Sequence, residues 1–157
     1  MKLTARDHKS SRFGFSIIEL LVVIGILGVM ATVMAPGISR IVRHQRVNRS
    51  ATVIAADLQN AFAVAARQRE PVRIQADAAT RSYQFVDRKT GAILRIRTFY
   101  GDTSEYRLTK LVFTPSTIDV FPSGISSAAL TIDMANGDYT KQITASTAGF
   151  IRTMPKT

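Results

Sequence analysis

The chain has 157 residues, no cysteine and a formal net charge of +10. Without cysteine there is no disulfide framework and no thiolate metal site, so burial and hydrogen bonds must hold the folded part together. The length fits one domain plus an anchor, and the basic balance favours anionic partners, phospholipid headgroups or nucleic acid, unless it is simply a solvated basic face.

Residues 1–14 are polar and basic, with Lys2, Arg6, Lys9 and Arg12 set against Asp7; they carry +3 of the charge and leave +7 on the rest. Residues 15–35 then form a dense apolar run broken by one charge, Glu19. As a helix this run is roughly 31 Å long, enough to cross a hydrocarbon core. Three readings compete. A secretory signal peptide needs small residues at a cleavage site after the run. Val33, Met34 and Ala35 would supply it, but Pro36 would follow the cut, and the run is long for such a signal. A plain single-span anchor must tolerate the Glu19 carboxylate, at about 2–3 kcal/mol on insertion scales unless it sits near the headgroups. The third reading gives that carboxylate a role. Cutting between Gly14 and Phe15 creates an α-amine one helical turn before Glu19. When such helices stack with an axial offset, Glu19 of one subunit meets the Phe15 amine of the next. In an apolar bundle either charge left alone is costly, so the pair sets the stagger between subunits.

Pro36 and Gly37 interrupt the run, and Pro36 is expected to kink the helix because it removes one backbone hydrogen bond. The pattern then resumes. Val47, Ala51, Ile54, Leu58, Phe62 and Ala65 fall on one helical face, with Arg49, Asn60 and Arg67 opposite. Pro71 ends the helix, which is expected over about residues 15–69. Arg40, Arg43, Arg46 and Arg49 lie three apart and spiral round it, facing headgroups or simply solvated. Lys and Arg counts on either side of the run tie at four, so charge does not set the orientation.

Beyond Pro71 the pattern changes to strands. Alternation predicts them over residues 72–76, 82–86, 92–100, 106–113, 117–121, 130–134, 139–145 and 150–152. Residues 87–91 and Gly101-Asp102 read as turns, and Asn136-Gly137 as a hairpin turn. The expected fold class is therefore α+β: a long N-terminal helix whose second half packs on an antiparallel β-sheet head.

Little of this sequence carries chemistry. Neither His8 nor His44 has metal-ligand spacing, and no phosphate-binding glycine loop is present; no cofactor and no enzymatic activity are expected. Gly25 and Gly28 lie within the apolar run, as aids to close helix packing or merely small residues. Asp133, Asn136 and Asp138 offer oxygens for Ca²⁺, against the simpler reading that Asn-Gly makes a turn. Arg95 and Arg97 alternate on one strand, with Arg107 and Lys110 on a strand expected beside it. The four would form a basic patch for DNA phosphates, or a solvated face.

Residues 14–20, Gly-Phe-Ser-Ile-Ile-Glu-Leu, resemble the prepilin cleavage motif of type IV pilins and type II secretion pseudopilins, and Pro36 stands where that family usually carries a kinking proline. The resemblance implies a leader at 1–14 removed by prepilin peptidase, cleavage at Gly14 and Phe15, and N-methylation of Phe15. It implies filament assembly through Glu19 with other pseudopilins or pilins. It further implies a transmembrane and filament-core helix at 15–35, an amphipathic helix at 36–70 and a β-rich periplasmic head at 71–157, held by inner-membrane lipid with the leader in the cytoplasm. The second half is similar, more loosely, to the H-type minor pseudopilin of type II secretion and to related minor type IV pilins. The resemblance lies in Phe121-Pro122-Ser123-Gly124, the 130–132 strand, Asn136-Gly137, Lys141-Gln142-Ile143 and Gly149-Phe150-Ile151-Arg152 in that order. The tail departs from that pattern at Phe150, where an arginine is usual. The function this resemblance implies is a structural role in protein secretion across the outer membrane, or alternatively that of a minor pilin acting in pilus assembly or DNA uptake.

Overall fold

The computed structural model describes residues 14–101 and 104–156, with the side chains of 33–36 left aside. The leader, apart from Gly14, and the expected turn residue Asp102 lie outside the described residues. The main helix, α1, spans Ile17–Gln68, and the chain divides into two compact units, Met1–Ile38 and Ser39–Thr157.

In the first unit α1 begins after three non-helical residues, and the amide of Leu20 already donates to the Ser16 carbonyl at 3.1 Å. Glu19 sits in the first turn, where a carboxylate is favoured by the positive end of the helix dipole. Among the described residues no single helix is long and apolar enough to cross a membrane; Ile17–Thr32 and Gly37–Gln68 qualify only as a broken pair. Pro36 is helical in its backbone, and the kink expected there falls among the residues whose side chains are not described.

In the second unit α1 buries Val47, Ala51, Ile54, Leu58, Ala61 and Ala65. The expected stripe differs at one position, Ala61 in place of Phe62. Ala61 takes the core site because a 3.6-residue period drifts from a run of four-residue steps. Phe62 is only partly buried, at the edge of the core. The helix stops at Gln68, Arg69 adopts φ 57°, and Pro71 follows two residues later. A left-handed residue and then proline make an ordinary helix stop, here without the usual glycine.

The strands are β1 Val72–Asp77, β2 Ser82–Asp87, β3 Ile93–Thr98, β4 Lys110–Thr114, β5 Thr117–Val120, β6 Leu130–Asn136, β7 Tyr139–Ala145 and β8 Ile151–Pro155. They form two four-stranded sheets, ordered β3-β2-β1-β5 and β4-β6-β7-β8, with every pairing antiparallel. The predicted strand over 106–113 begins only at Lys110. Arg107 takes φ 44°, which no extended strand accommodates. The chain leaves β3 at Phe99, whose amide donates to Arg81 O, and returns through Leu108, whose amide donates to Phe99 O. Both side chains are fully buried, so this connection crosses from one sheet to the other instead of folding back as a hairpin.

One apolar cluster joins the helix stripe with residues of both sheets. Tyr83 stands among Phe85, Phe99 and Phe113, with ring centroids 5.4–5.7 Å apart, a spacing typical of packed aromatic pairs. The hairpin between β6 and β7 differs from its prediction in detail. Asn136 pairs with Tyr139 as a strand residue, so the two-residue loop is Gly137-Asp138 with glycine first at φ 64°. The Asn136 side chain turns inward and donates to Arg107 O at 3.0 Å.

Candidate functional site

Two places concentrate the unusual chemistry: the start of α1 and the junction between α1 and the first sheet. At the first, Gly14, Phe15 and Glu19 are exposed. Phe15 is 82% exposed and Ile17 81%, and Ile18, Leu20, Leu21 and their followers to Met30 are open as well. A single subunit thus presents a helix that is apolar all round, with Glu19 its only charge, and a helix of that kind needs an apolar environment on every side. A Cβ on Gly25 or Gly28 would meet nothing within 4 Å, so neither glycine is required by packing inside one subunit.

The second place is centred on Asp57, which sequence reasoning missed. It lies on the buried side of α1 between Ile54 and Ala61, and its side chain is 5% exposed. Tyr83 Oη of β2 donates to its Oδ2 at 2.7 Å, and Arg95 Nη1 of β3 donates to Oδ1 at 2.6 Å. Arg97 adds a two-pronged contact, Nε to Oδ2 and Nη2 to Oδ1 at 3.2 Å. Burial pushes the Asp57 carboxyl up, but the bonds from Arg97 and Tyr83 and the charges of Arg97 and Arg95 outweigh it and hold the group below its usual range. Burial, followed by the bond to Asp57, pushes the Tyr83 phenol well above its ordinary value. An acid on the apolar helix face was the available signal, since such a residue is costly unless cations come to meet it.

This arrangement corrects the expected basic patch. Arg95 and Arg97 turn toward the helix and are committed to Asp57, while Lys110 belongs to β4 in the other sheet. Arg107 lies before β4, its carbonyl bound by Asn136. β3 has no neighbour but β2 in its sheet, so these four cations do not share one face. Other cations are also paired. Arg73 forms a bidentate contact with Asp119 at 2.8 and 3.1 Å across the β1–β5 register, and Arg88 joins at 3.4 Å. Lys89 pairs with Glu70, and Lys156 with Asp133, each at 2.7 Å.

The hairpin acids diverge too. Asp133 is taken by Gln142 and Lys156, Asn136 faces Arg107 O, and Asp138 lies 3.8 Å from Arg43. Among the described residues no group of three His, Asp or Glu side chains is placed to hold a metal ion. His44 stacks on Tyr139 with centroids 4.0 Å apart, and Tyr139 Oη reaches Asn48 at 3.4 Å, so this histidine helps seat α1 on the hairpin.

Residues 9–35 match the model of the prokaryotic N-terminal methylation motif. No curated protein matches the chain in sequence. Among solved structures, the type IV minor pilin FimU of Pseudomonas aeruginosa superposes in two crystal forms. One has TM-score 0.57 at 21% identity, covering 71% of this chain and 90% of that one; the other has TM-score 0.54 at 20% identity, covering 69% and 92%. The minor pseudopilin EpsH of the Vibrio cholerae Type 2 Secretion System gives TM-score 0.53 at 18% identity, covering 70% of this chain and 97% of its own. A methylation motif at the head of α1 is thus followed by the helix-on-sheet fold that these minor subunits share.

Proposed function

We propose that the chain is a membrane-anchored minor pseudopilin, a structural subunit of a type II secretion pseudopilus. The observation that carries this is the start of α1: an exposed, apolar helix whose one charge, Glu19, follows the Gly14-Phe15 pair of the methylation motif by a single turn. Prepilin peptidase removes residues 1–14 and methylates the Phe15 amine. The helix then holds the subunit in the inner membrane with its head in the periplasm, until neighbouring subunits replace lipid around it. In the filament Glu19 meets the Phe15 amine of the next subunit, and Pro36 bends the helix between its core and its head. The experiment is co-expression with the other filament subunits. Glu19→Ala should be processed normally yet be depleted from sheared filaments. Wild-type recovery of the variant in filaments overturns the role of Glu19, and an intact leader on the wild-type chain overturns the whole reading.

A second reading, a minor subunit of a type IV pilus, draws on the likeness to FimU. Its DNA-uptake form is weakened at the patch that motivated it, since Arg95 and Arg97 are both ion-paired with Asp57. Deletion of the gene separates the two machines: loss of a secreted enzyme from the medium supports the pseudopilus, and loss of surface pili or twitching supports the pilus.

A further inference from the structure

We propose that residues 40–49 form an arginine collar that binds the phosphates of anionic phospholipid headgroups and holds the head at the membrane surface. This rests on the membrane-anchored reading above. Between Glu19 and Asp57 the chain has no acidic residue, and Arg40, Arg43, Arg46 and Arg49 are its only formal charges there. Each is turned about 300° from the one before, so the four cover roughly half the girth of the helix. A protein groove would be met by one stripe along the helix. A sheet of phosphates crossed by a helix is met by charge distributed round it, which is the pattern present.

The same turns are amphipathic on a fine scale. Ile41 and Val42 are 62% and 39% exposed among the arginines. Apolar groups that can sink into the acyl boundary, beside guanidinium groups that reach up to phosphate, are what an interfacial segment requires. Three of these four arginines also stand apart from any described carboxylate, whereas several cations of the head are ion-paired. Asp57 holds Arg95 and Arg97, Asp119 holds Arg73 and Arg88, Glu70 holds Lys89 and Asp133 holds Lys156. Among the described residues no carboxylate stands within 4.0 Å of Arg40, Arg46 or Arg49. Arg43 alone has one, Asp138 at 3.8 Å, with its side chain laid against Gly137. Glu105 borders the same shallow cleft as Arg49 without pairing to it.

The absence of native cysteine gives a direct test. Gln45 is exposed within the collar, so Gln45→Cys supplies a single thiol. The full chain is placed in nanodiscs of phosphatidylcholine alone or mixed with phosphatidylglycerol, and the rate of modification by an impermeant maleimide is measured. The expected result is several-fold slower labelling in anionic discs. The difference should vanish at high salt and in an Arg40→Gln/Arg46→Gln/Arg49→Gln background, whose fold is checked by its melting curve. Equal rates in both discs overturn the proposal. Equal slowing by inorganic phosphate in neutral discs also overturns it, and assigns the collar to free anions. Slowing that appears only when a second pilin-like subunit is added, whatever the lipid, assigns the collar to a protein neighbour and overturns it likewise. Failure of the chain to enter discs at all is a different outcome, which strikes the membrane-anchored reading itself.

Discussion

Removing the Asp57 carboxylate tests how the head is tied to its helix. In Asp57→Ala, Arg95 and Arg97 lose their shared partner and the Tyr83 hydroxyl loses its acceptor in a site where Tyr83 is 2% exposed. Breaking a fully buried pair from one side costs about 3–5 kcal/mol. The two arginine side chains are 38% and 33% exposed, so both can swing partly into water, which lowers the expected cost to about 2–3 kcal/mol. For a domain of this size that is a fall in Tm of roughly 8–15 °C, read by thermal unfolding. Asp57→Asn keeps the shape and should lose about half as much, since hydrogen bonds survive and charge does not. A double-mutant cycle of Asp57→Ala with Arg97→Ala isolates the pair, and a coupling of about 1–3 kcal/mol is expected for groups in direct contact. The folded carboxyl lies below its ordinary value, so its contribution is complete above the unfolded-state range near pH 4. It is lost as pH falls through the lower folded value. The stability gap between wild type and Asp57→Asn should therefore be flat above about pH 5 and close below pH 4. A coupling near zero, or a gap that widens on acidification, refutes the reasoning.

Three other consequences are open to measurement. Gly149 has φ 77°, and a Cβ there would stand 3.2 Å from ring atoms of Phe62. Gly149→Ala should destabilise the head by about 1–2 kcal/mol in denaturant unfolding, from the left-handed backbone and the displaced ring. Arg73→Ala should expose the role of the bidentate pair on β1 and β5 by raising the titration midpoint of Asp119, whose carboxyl is held down chiefly by that arginine; an unmoved midpoint in NMR titration contradicts it. For DNA, a titration of the full chain in detergent should give weak binding whose salt dependence is unchanged by Arg95→Gln/Arg97→Gln, because those side chains already serve Asp57.

The helix was legible in the sequence because its signals are periodic and local. Val47, Ala51, Ile54, Leu58 and Ala65 announce the buried face, and Pro71 the end. Strand positions were legible for the same reason, since alternation needs only near neighbours. The division into two sheets was not. It depends on where residues 99–109 travel, and the two buried anchors of that path, Phe99 and Leu108, read in sequence as continuations of flanking strands. The expected basic patch fails for the same reason. With β3 and β4 taken as neighbours, Arg95, Arg97, Arg107 and Lys110 look like one face.

Asp57 carries a signal of another kind, present in the sequence but not periodic. Acid on an apolar helix stripe and paired arginines on one face of an edge strand are each unfavourable alone. In a domain that buries one against the other, each supplies what the other lacks. The rule that links them is charge balance in the interior: a buried acid predicts cations reaching it from a distant element. By that rule Asp57 calls for cations from a distant element, and in the structure Arg95 and Arg97 are the ones that meet it. Residues 40–49, at the start of the second unit, hold four arginines and no acid. That short stretch carries +4, as much as the net charge of all of residues 50–157, where 13 basic side chains face 9 acids.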